Sequence, residues 1–440
     1  ISADARAVDL LHEQGHDVVP ITFGELQSEC FGDSRDFEVE VKRRPDPSSA
    51  EMRELEREHE VSLRHQAYTA TVQGSPEPTV ASQLSPSETR VRESVVRLTK
   101  LVESFQALFE RHDFDAVFMG VGPSLAFRAA WMMSRRYDVP LRMIHQSPFS
   151  SDRCLLFDDQ FARPGDLVGF DTSDPSEEAL QAVRDHVEDI HGVAPTSKRS
   201  LGLTGEKVRK YATKLLDGFD RDAPRRTVLR STIRRYATIY HNSLRRFDDF
   251  DPSTEYVYLP LHATVDTQLL LREDSYVHQE SLVRILSNNA PVGVTVYVKE
   301  HPAFAGRYRG TVYKTVDRLS NVRLIPTDTD PHRVLDHADA VATIRSTAGL
   351  EALMHDVPVL AFGEPFYARS DSVTSVTDLG RTDSYLHRAL SRDPDRAMNR
   401  RYLAQIFESQ FDLPCWPPEV SQNHADQVVE GMLAAMPLLR

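Results

Sequence analysis

Apolar residues recur at helical spacing in some stretches and form short unbroken runs in others, and the two kinds alternate along the chain. Ala7, Leu10 and Leu11 share one face of a helix predicted over Ser2–Gln14. Gly15 ends it, and Asp17–Thr22 (DVVPIT) reads as a strand. A parallel sheet usually places a strand before such a helix, so one further strand is expected upstream. Residues 43–86 are polar and rich in Pro and Ser, with a charged helical stretch around Ala50–Arg64, and read as a partly mobile insertion. Ser87 is expected to cap a helix running to Arg111, with Val91, Val95, Leu98, Val102 and Phe105 on its apolar face. A strand at Ala116–Met119, the loop Gly120-Val121-Gly122-Pro123-Ser124, a helix over Leu125–Arg136 and a strand at Leu141–Ile144 follow. This rhythm predicts a parallel sheet with helices on its faces.

The second half repeats the alternation. Strands are predicted at Tyr256–Leu261, Val294–Val298, Val322–Ile325, Ala340–Ile344 and Val357–Phe362. Helices fit between them at about Tyr276–Ser287, Tyr308–Leu319, Pro331–His337 and Ala348–His355. The expected organisation is an N-terminal α/β domain over 1–160, a helical linker or insertion over 161–250, a second doubly wound α/β domain over 251–415, and a helix in 416–440 packing back on the first domain.

The charge changes what partners are plausible. Sixty-six acidic residues stand against 52 basic ones, for a net charge of −14, which argues against nucleic acid. Only 8 of those 52 are Lys, a bias shared by acidic proteins of salt-loving organisms and by GC-rich genomes. Between 162 and 250 lies a basic stretch: Lys207, Arg209, Lys210, Lys214, Arg225, Arg226, Arg230, Arg234, Arg235, Arg245 and Arg246. It reads as a solvated helical face, or as a dock for an anionic membrane surface or charged glycan. Cys30, Cys154 and Cys415 are scattered, which predicts neither a disulfide framework nor a zinc site and suits a reducing cytoplasm. No apolar run reaches the ~18 residues of a membrane helix, so the expected location is cytoplasmic, with peripheral contact at the inner face of the membrane.

In an open parallel sheet the ligand binds beyond the carboxyl ends of the strands. In the second domain those ends carry His262 and Asp266; Lys299, Glu300 and His301 before Pro302; Arg345, Ser346, Thr347 and Gly349; and Gly363, Glu364 and Tyr367. At 346–353 (STAGLEAL) a strand runs almost directly into a helix. A Ser/Thr cap, free N–H groups and the helix dipole favour an anion there, most naturally a phosphate. Glu351 lies one turn in and is placed to accept from ribose hydroxyls. His301 is a candidate donor to the phosphate, and Asp266 a candidate base or nucleophile toward a sugar carbon. There is no P-loop signature, no Gly-x-Ser-x-Gly elbow, no HExxH and no metal-ligand spacing.

These residues resemble the capsule polysaccharide biosynthesis family, which includes the transferases of 3-deoxy-manno-octulosonic acid (Kdo). The resemblance covers about 255–370, on Pro260-Leu261 followed by Asp266, Val298-Lys299-Glu300-His301-Pro302, Asn321-Val322, Ser346 to Leu353, Pro358-Val359, Gly363 and Phe366-Tyr367. It implies a GT-B fold: two Rossmann-like domains facing across a cleft, the second holding the donor nucleotide and the first the acceptor. It further implies that His301, Ser346 and Thr347 contact the donor phosphate, with Lys299, Gly349 and Glu351 completing the nucleotide site. His262 stands where the family often has Gln, and His262, Glu300, Arg345 and Tyr367 are candidate sugar contacts. The implied activity is transfer of a sugar, Kdo-like and CMP-linked, to a glycan or lipid-linked acceptor, without metal or other cofactor. A sugar-nucleotide epimerase or hydrolase, and a non-catalytic partner in a glycan-assembly complex, are the competing readings.

Overall fold

The computed structural model describes residues 3–22, 35–74, 80–122, 124–150, 152–192, 233, 237–242, 244–413 and 422–436. The chain divides into two compact units: 1–71 with 87–183 and 400–440, and 72–86 with 184–399. The chain thus returns to the first unit at 400, before the expected 416. No helix among the described residues is long and apolar enough to cross a membrane.

In the first unit, helix α1 (Ala3–Glu13) forms as its spacing predicts. Its apolar face, with Ala7 and Leu11 buried, packs on Val429 of the C-terminal helix Gln422–Ala435. The polar stretch after residue 43 is helical over most of its described residues, including the charged part expected to be so. It forms α2 (Ser49–His59), closed by a capping box between Ser48 and Glu51, and α3 (Leu63–Gln73). Leu63, Ala67 and Val72 of α3 are buried, which orders the segment despite its polar composition. Helix α4 (Glu88–Phe109) starts at the Ser87 cap and buries Val91, Leu98, Leu101, Val102, Phe105 and Leu108. Each such side chain contributes roughly 1.5–3 kcal/mol, so this one stripe anchors the helix.

Strand β1 (Val117–Gly120) leads into α5 (Leu125–Arg136), then parallel β2 (Leu141–Gln146). The next strand, β3 (Cys154–Phe157), was not evident from the pattern and runs antiparallel to β2. The connection between them is too short for the crossover that a parallel strand requires. The sheet is therefore mixed, with Gln410–Phe411 antiparallel on β3 at its edge. Cys154 is disulfide-bonded, which corrects the expectation that the cysteines stand apart.

Residues 193–232, with most of the basic stretch, lie outside the described residues, as do Arg234 and Arg235. Of that stretch, Arg245 pairs with Asp317 and stacks 4.8 Å over the Tyr313 ring.

The second unit alternates as predicted. Its elements are β4 (Tyr256–Pro260), α6 (Gln279–Asn289), β5 (Thr295–Lys299), α7 (Gly310–Arg318), β6 (Val322–Ile325), α8 (Pro331–Leu335), β7 (Ala340–Thr343), α9 (Thr347–Met354) and β8 (Val359–Ala361). An unforeseen sixth strand, β9 (Val373–Ser375), precedes α10 (Thr382–Leu390). All neighbours are parallel, in the order β9-β8-β7-β4-β5-β6. The chain moves from β4 outward to β6, then returns to β7 and moves the other way. Right-handed crossovers therefore put α6 and α7 on one face and α8 and α9 on the other. The order reverses between β4 and β7, the point beyond whose carboxyl ends open α/β sheets receive ligands.

Candidate functional site

Three loops meet at this switch point: 261–266 after β4, 300–302 after β5 and 344–347 after β7. They are tied by hydrogen bonds between side chains and backbone rather than by salt bridges. The buried His262 accepts the Arg345 N–H on Nε2 at 3.4 Å, so its proton resides on Nδ1. Burial, with His301 and Arg345 nearby, holds its pKa down to about 3. His262 is thus a neutral staple between the β4 and β7 ends. Gln279, from the first turn of α6, receives the His262 N–H at 2.8 Å and returns its amide to the His262 carbonyl at 2.9 Å. Tyr308 accepts the His301 N–H at 2.9 Å and donates to the His262 carbonyl at 3.1 Å. Nothing in the sequence marked Gln279 or Tyr308, because each acts through a partner distant along the chain.

His301 caps the short turn Pro302–Phe304, its Nδ1 accepting the Ala303 N–H at 3.2 Å. The ring proton then lies on Nε2, which is left as a donor. Crowding of the ring by surrounding protein lowers its pKa; Asp266 opposes that shift and Lys299 reinforces it. Asp266 and His301 are therefore electrostatic neighbours. Asp266 itself caps Thr267–Leu270, accepting the Gln268 N–H at 2.8 Å, and remains exposed.

Lys299 ends β5 only 4% exposed, and no acceptor among the described residues reaches its ammonium. Burial lowers its pKa against the pull of Asp330, Glu351 and Asp328. Glu351 likewise has no side-chain hydrogen bond among the described residues. Burial raises its pKa, opposed by His332 and Lys299. His332 belongs to a line not foreseen: its Nδ1 lies 3.1 Å from His355 Nε2, and His355 Nδ1 lies 2.8 Å from Asp336.

Ser346 caps α9, its hydroxyl accepting the Ala348 N–H at 3.2 Å. Thr347, the first helical residue, is exposed, and its hydroxyl has no partner among the described residues. The site thus gathers the ammonium of buried Lys299, which no hydrogen-bond acceptor among the described residues reaches, an imidazole donor, an exposed threonine and a helix N-terminus. Together they can accept an anion and a hydroxylated group beside it.

Four expected roles change. Glu300 is 3% exposed, and its carboxylate already takes Gly306 N–H at 3.2 Å, Thr327 at 3.2 Å and the Tyr313 hydroxyl. It braces the loop instead of presenting itself to a sugar. Tyr367 is fully buried and donates to the Ser346 carbonyl. Gly349 answers to that tyrosine: a Cβ there would sit 2.2 Å from the Tyr367 hydroxyl, so the glycine admits a side chain from within, not a ligand from outside. The Arg345 side chain, 3% exposed, lies 3.5 Å from Glu273, which also accepts the Glu364 N–H at 3.0 Å. Among the described residues no three His, Cys, Asp or Glu are grouped to hold a metal ion.

Residues 220–411 match the model of a family described as capsule polysaccharide biosynthesis protein. Protein FixF of Sinorhizobium fredii (strain NBRC 101917 / NGR234) is 28% identical over 177 residues, 39% of this chain and 42% of FixF. The match thus spans less than half the length of that curated relative. Among solved structures, Thermosulfurimonas dismutans KpsC, a beta Kdo 2,4 transferase, aligns over 66% of this chain and 79% of its own, at 17% identity and a TM-score of 0.40. UDP-GlcNAc 2-epimerase of Methanocaldococcus jannaschii aligns over 71% and 80%, at 9% identity and a TM-score of 0.29.

Proposed function

We propose, on the premise that residues 220–411 carry the pattern of the capsule polysaccharide biosynthesis family, that the chain is a glycosyltransferase of surface-polysaccharide assembly. Its donor is a nucleotide-activated sugar, CMP-linked and Kdo-like, and its acceptor a glycan or lipid-linked glycan. The observation that carries the reading is the buried Lys299, whose ammonium meets no hydrogen-bond acceptor among the described residues, beside the His301 donor and the α9 N-terminus at the switch point.

In this reading the donor phosphate lies against His301 Nε2–H, Thr347 and the first N–H groups of α9, with Lys299 balancing its charge. Glu351 accepts from ribose hydroxyls. The bond from the anomeric carbon to the phosphate oxygen breaks, and its electron pair leaves with the nucleotide. These fixed donors stabilise the departing phosphate in a site of low dielectric, without reorganising at the moment of reaction. Asp266 takes the proton of the attacking acceptor hydroxyl as the new carbon–oxygen bond forms.

Calorimetric titration with CMP tests donor binding. His301→Ala is expected to weaken CMP by tenfold or more; an unchanged affinity would sink the proposal. Asp266→Asn is expected to leave CMP affinity within about twofold and lower transfer by roughly 100-fold or more. Incubation with UDP-GlcNAc and no acceptor should give no epimer and no free sugar. Turnover there would favour an epimerase or hydrolase, and wild-type glycan assembly by the Asp266→Asn chain a non-catalytic partner.

A further inference from the structure

Helices α8 and α9 each carry two titratable side chains one turn apart. At α8 these are His332 and Asp336, and the Asp336 N–H closes on the His332 carbonyl at 2.8 Å. At α9 they are Glu351 and His355, and the His355 N–H closes on the Glu351 carbonyl at 3.1 Å. Residues four apart on a helix share a face. Contacts between the two helices step from one to the other. Asp336 Oδ1 lies 2.8 Å from His355 Nδ1, and His355 Nε2 lies 3.1 Å from His332 Nδ1. A proton added to His332 would pull on the Glu351 carboxylate, so these two are electrostatic neighbours as well. The line therefore runs Asp336, His355, His332, Glu351. It starts at an aspartate side chain that is 41% exposed, passes through the fully enclosed His355 ring and ends at the donor site.

Proton counting along this line fixes what it presents to a ligand. A carboxylate offers only acceptors, so the proton between Asp336 and His355 belongs to His355 Nδ1. A neutral imidazole carries one proton. His355 Nε2 is then an acceptor, and its contact with His332 needs the proton on His332 Nδ1. That leaves His332 Nε2 as a bare acceptor, and no hydrogen bond among the described residues reaches it. Glu351 has no side-chain hydrogen bond among the described residues either; Lys299 pulls on its charge without bonding to it. Both His332 and Glu351 are partly exposed. Two neighbouring acceptors with no proton between them repel each other, and a partner with donors on adjacent atoms satisfies both.

We propose that His332 is a specificity residue of the donor site: its Nε2 accepts from one hydroxyl of the ribose 2′,3′-diol while Glu351 accepts from the other. His355 and Asp336 are positioning residues that hold His332 in its accepting tautomer. The inference rests on the reading of this site as a nucleotide site and adds the demand for an intact ribose diol. A deoxynucleotide leaves one acceptor desolvated and unpaired, and is rejected for that reason.

Calorimetric titration of the intact chain with CMP, 2′-deoxy-CMP and 3′-deoxy-CMP tests the diol. The wild-type chain is expected to prefer CMP over each deoxy form by about tenfold. His332→Ala is expected to weaken CMP by about tenfold and to change one of the deoxy forms by less than about twofold, because the hydroxyl that His332 holds is already missing from it. Equal losses for CMP and both deoxy forms would show that His332 only packs α8 on α9, and would overturn the proposal. Should His332→Ala not fold, His332→Phe keeps a ring without the acceptor and is read in the same way.

Asp336→Ala, at an exposed position, tests the positioning role. The ¹⁵N signals of His332 are identified by their loss in the His332 variant. They are expected to show an unprotonated Nε2 in the wild-type chain and a protonated fraction in Asp336→Ala, with the preference for CMP reduced severalfold. A protonated Nε2 in the wild-type chain at neutral pH, or a spectrum and preference untouched by Asp336→Ala, would overturn the proposal.

The donor reading fails separately. If UMP, GMP or AMP binds in place of CMP, only the CMP assignment falls, and the same comparison with the deoxy forms of that nucleotide decides the diol. If CMP binds and His301→Ala weakens it while both deoxy forms bind as tightly as CMP, the donor reading stands and this inference alone is refuted. If no ribonucleotide binds, both are refuted.

Discussion

Gly349 and Gly363 look alike in sequence as small residues beside a ligand, and their surroundings give them a different meaning. A Cβ on Gly349 would lie 2.2 Å from the Tyr367 hydroxyl, and one on Gly363 would lie 2.7 Å from Glu273 Oε1 and 2.9 Å from Arg345 Cγ. Both glycines make room for buried side chains that shape the rim. Gly349→Ala is therefore expected to destabilise the fold by roughly 1–3 kcal/mol through overpacking. Adding Tyr367→Phe, which deletes the obstructing oxygen, should recover part of that loss. Denaturant melts of the two single variants and the double variant measure the coupling. Additive effects would show that the two residues do not meet.

At the scale of the element, the site is assembled from caps. Asp266 caps Thr267–Leu270, His301 caps Pro302–Phe304 and Ser346 caps α9. A capping side chain has two separable properties: it satisfies an N–H, and it carries charge or a free proton. Asp266→Asn keeps the first and removes the second, so its Tm should stay near wild type. Asp266→Ala loses the cap as well and should cost about 1 kcal/mol of stability. Equal melting of the two variants would show that the cap carries no weight. The same logic explains why cap residues were legible in advance. Ser87 and Ser346 are local in sequence, and the junctions reveal them, whereas the Asp266 and His301 caps emerge only in the structure. The partners that hold Glu300, Tyr308 and Arg345 come from other elements, so no local pattern could show that these groups were already engaged.

For the molecule as a whole, the titration of buried carboxylates sets the acid response. Asp158, at the end of β3, has its pKa raised to about 6, first by burial and then by Asp166 and Asp159, with Arg142 opposing. The folded state therefore holds this proton more tightly than the unfolded chain does. Its stabilising contribution is complete below the unfolded value near 4 and is lost as pH rises through about 6. Asp158→Asn remains neutral throughout. Its Tm relative to wild type should climb between about pH 4 and pH 6 and then level off. A difference that stays flat over that range would contradict the assignment. Burial raises Glu300 and Glu351 in the same direction, so the wild-type chain should share this slope more broadly.

The amino-acid order by itself determined the α/β alternation, the strand ends that carry polar groups and the family pattern of residues 255–370. Each is written in local periodicity and in short junction motifs. It could not show that the helices Ser49–His59 and Leu63–Gln73 are packed, since composition is blind to which few apolar residues find a partner. Nor could it show β3, whose direction follows from a short connection. Tertiary structure alone decided which polar groups at the rim are occupied and which are not. Glu300, Arg345 and Tyr367 are held by neighbours distant in sequence, while no hydrogen bond among the described residues reaches the Lys299 ammonium, the Thr347 hydroxyl or His301 Nε2. A hydrogen bond between distant segments depends on coordinates in three dimensions, and only the folded chain fixes those.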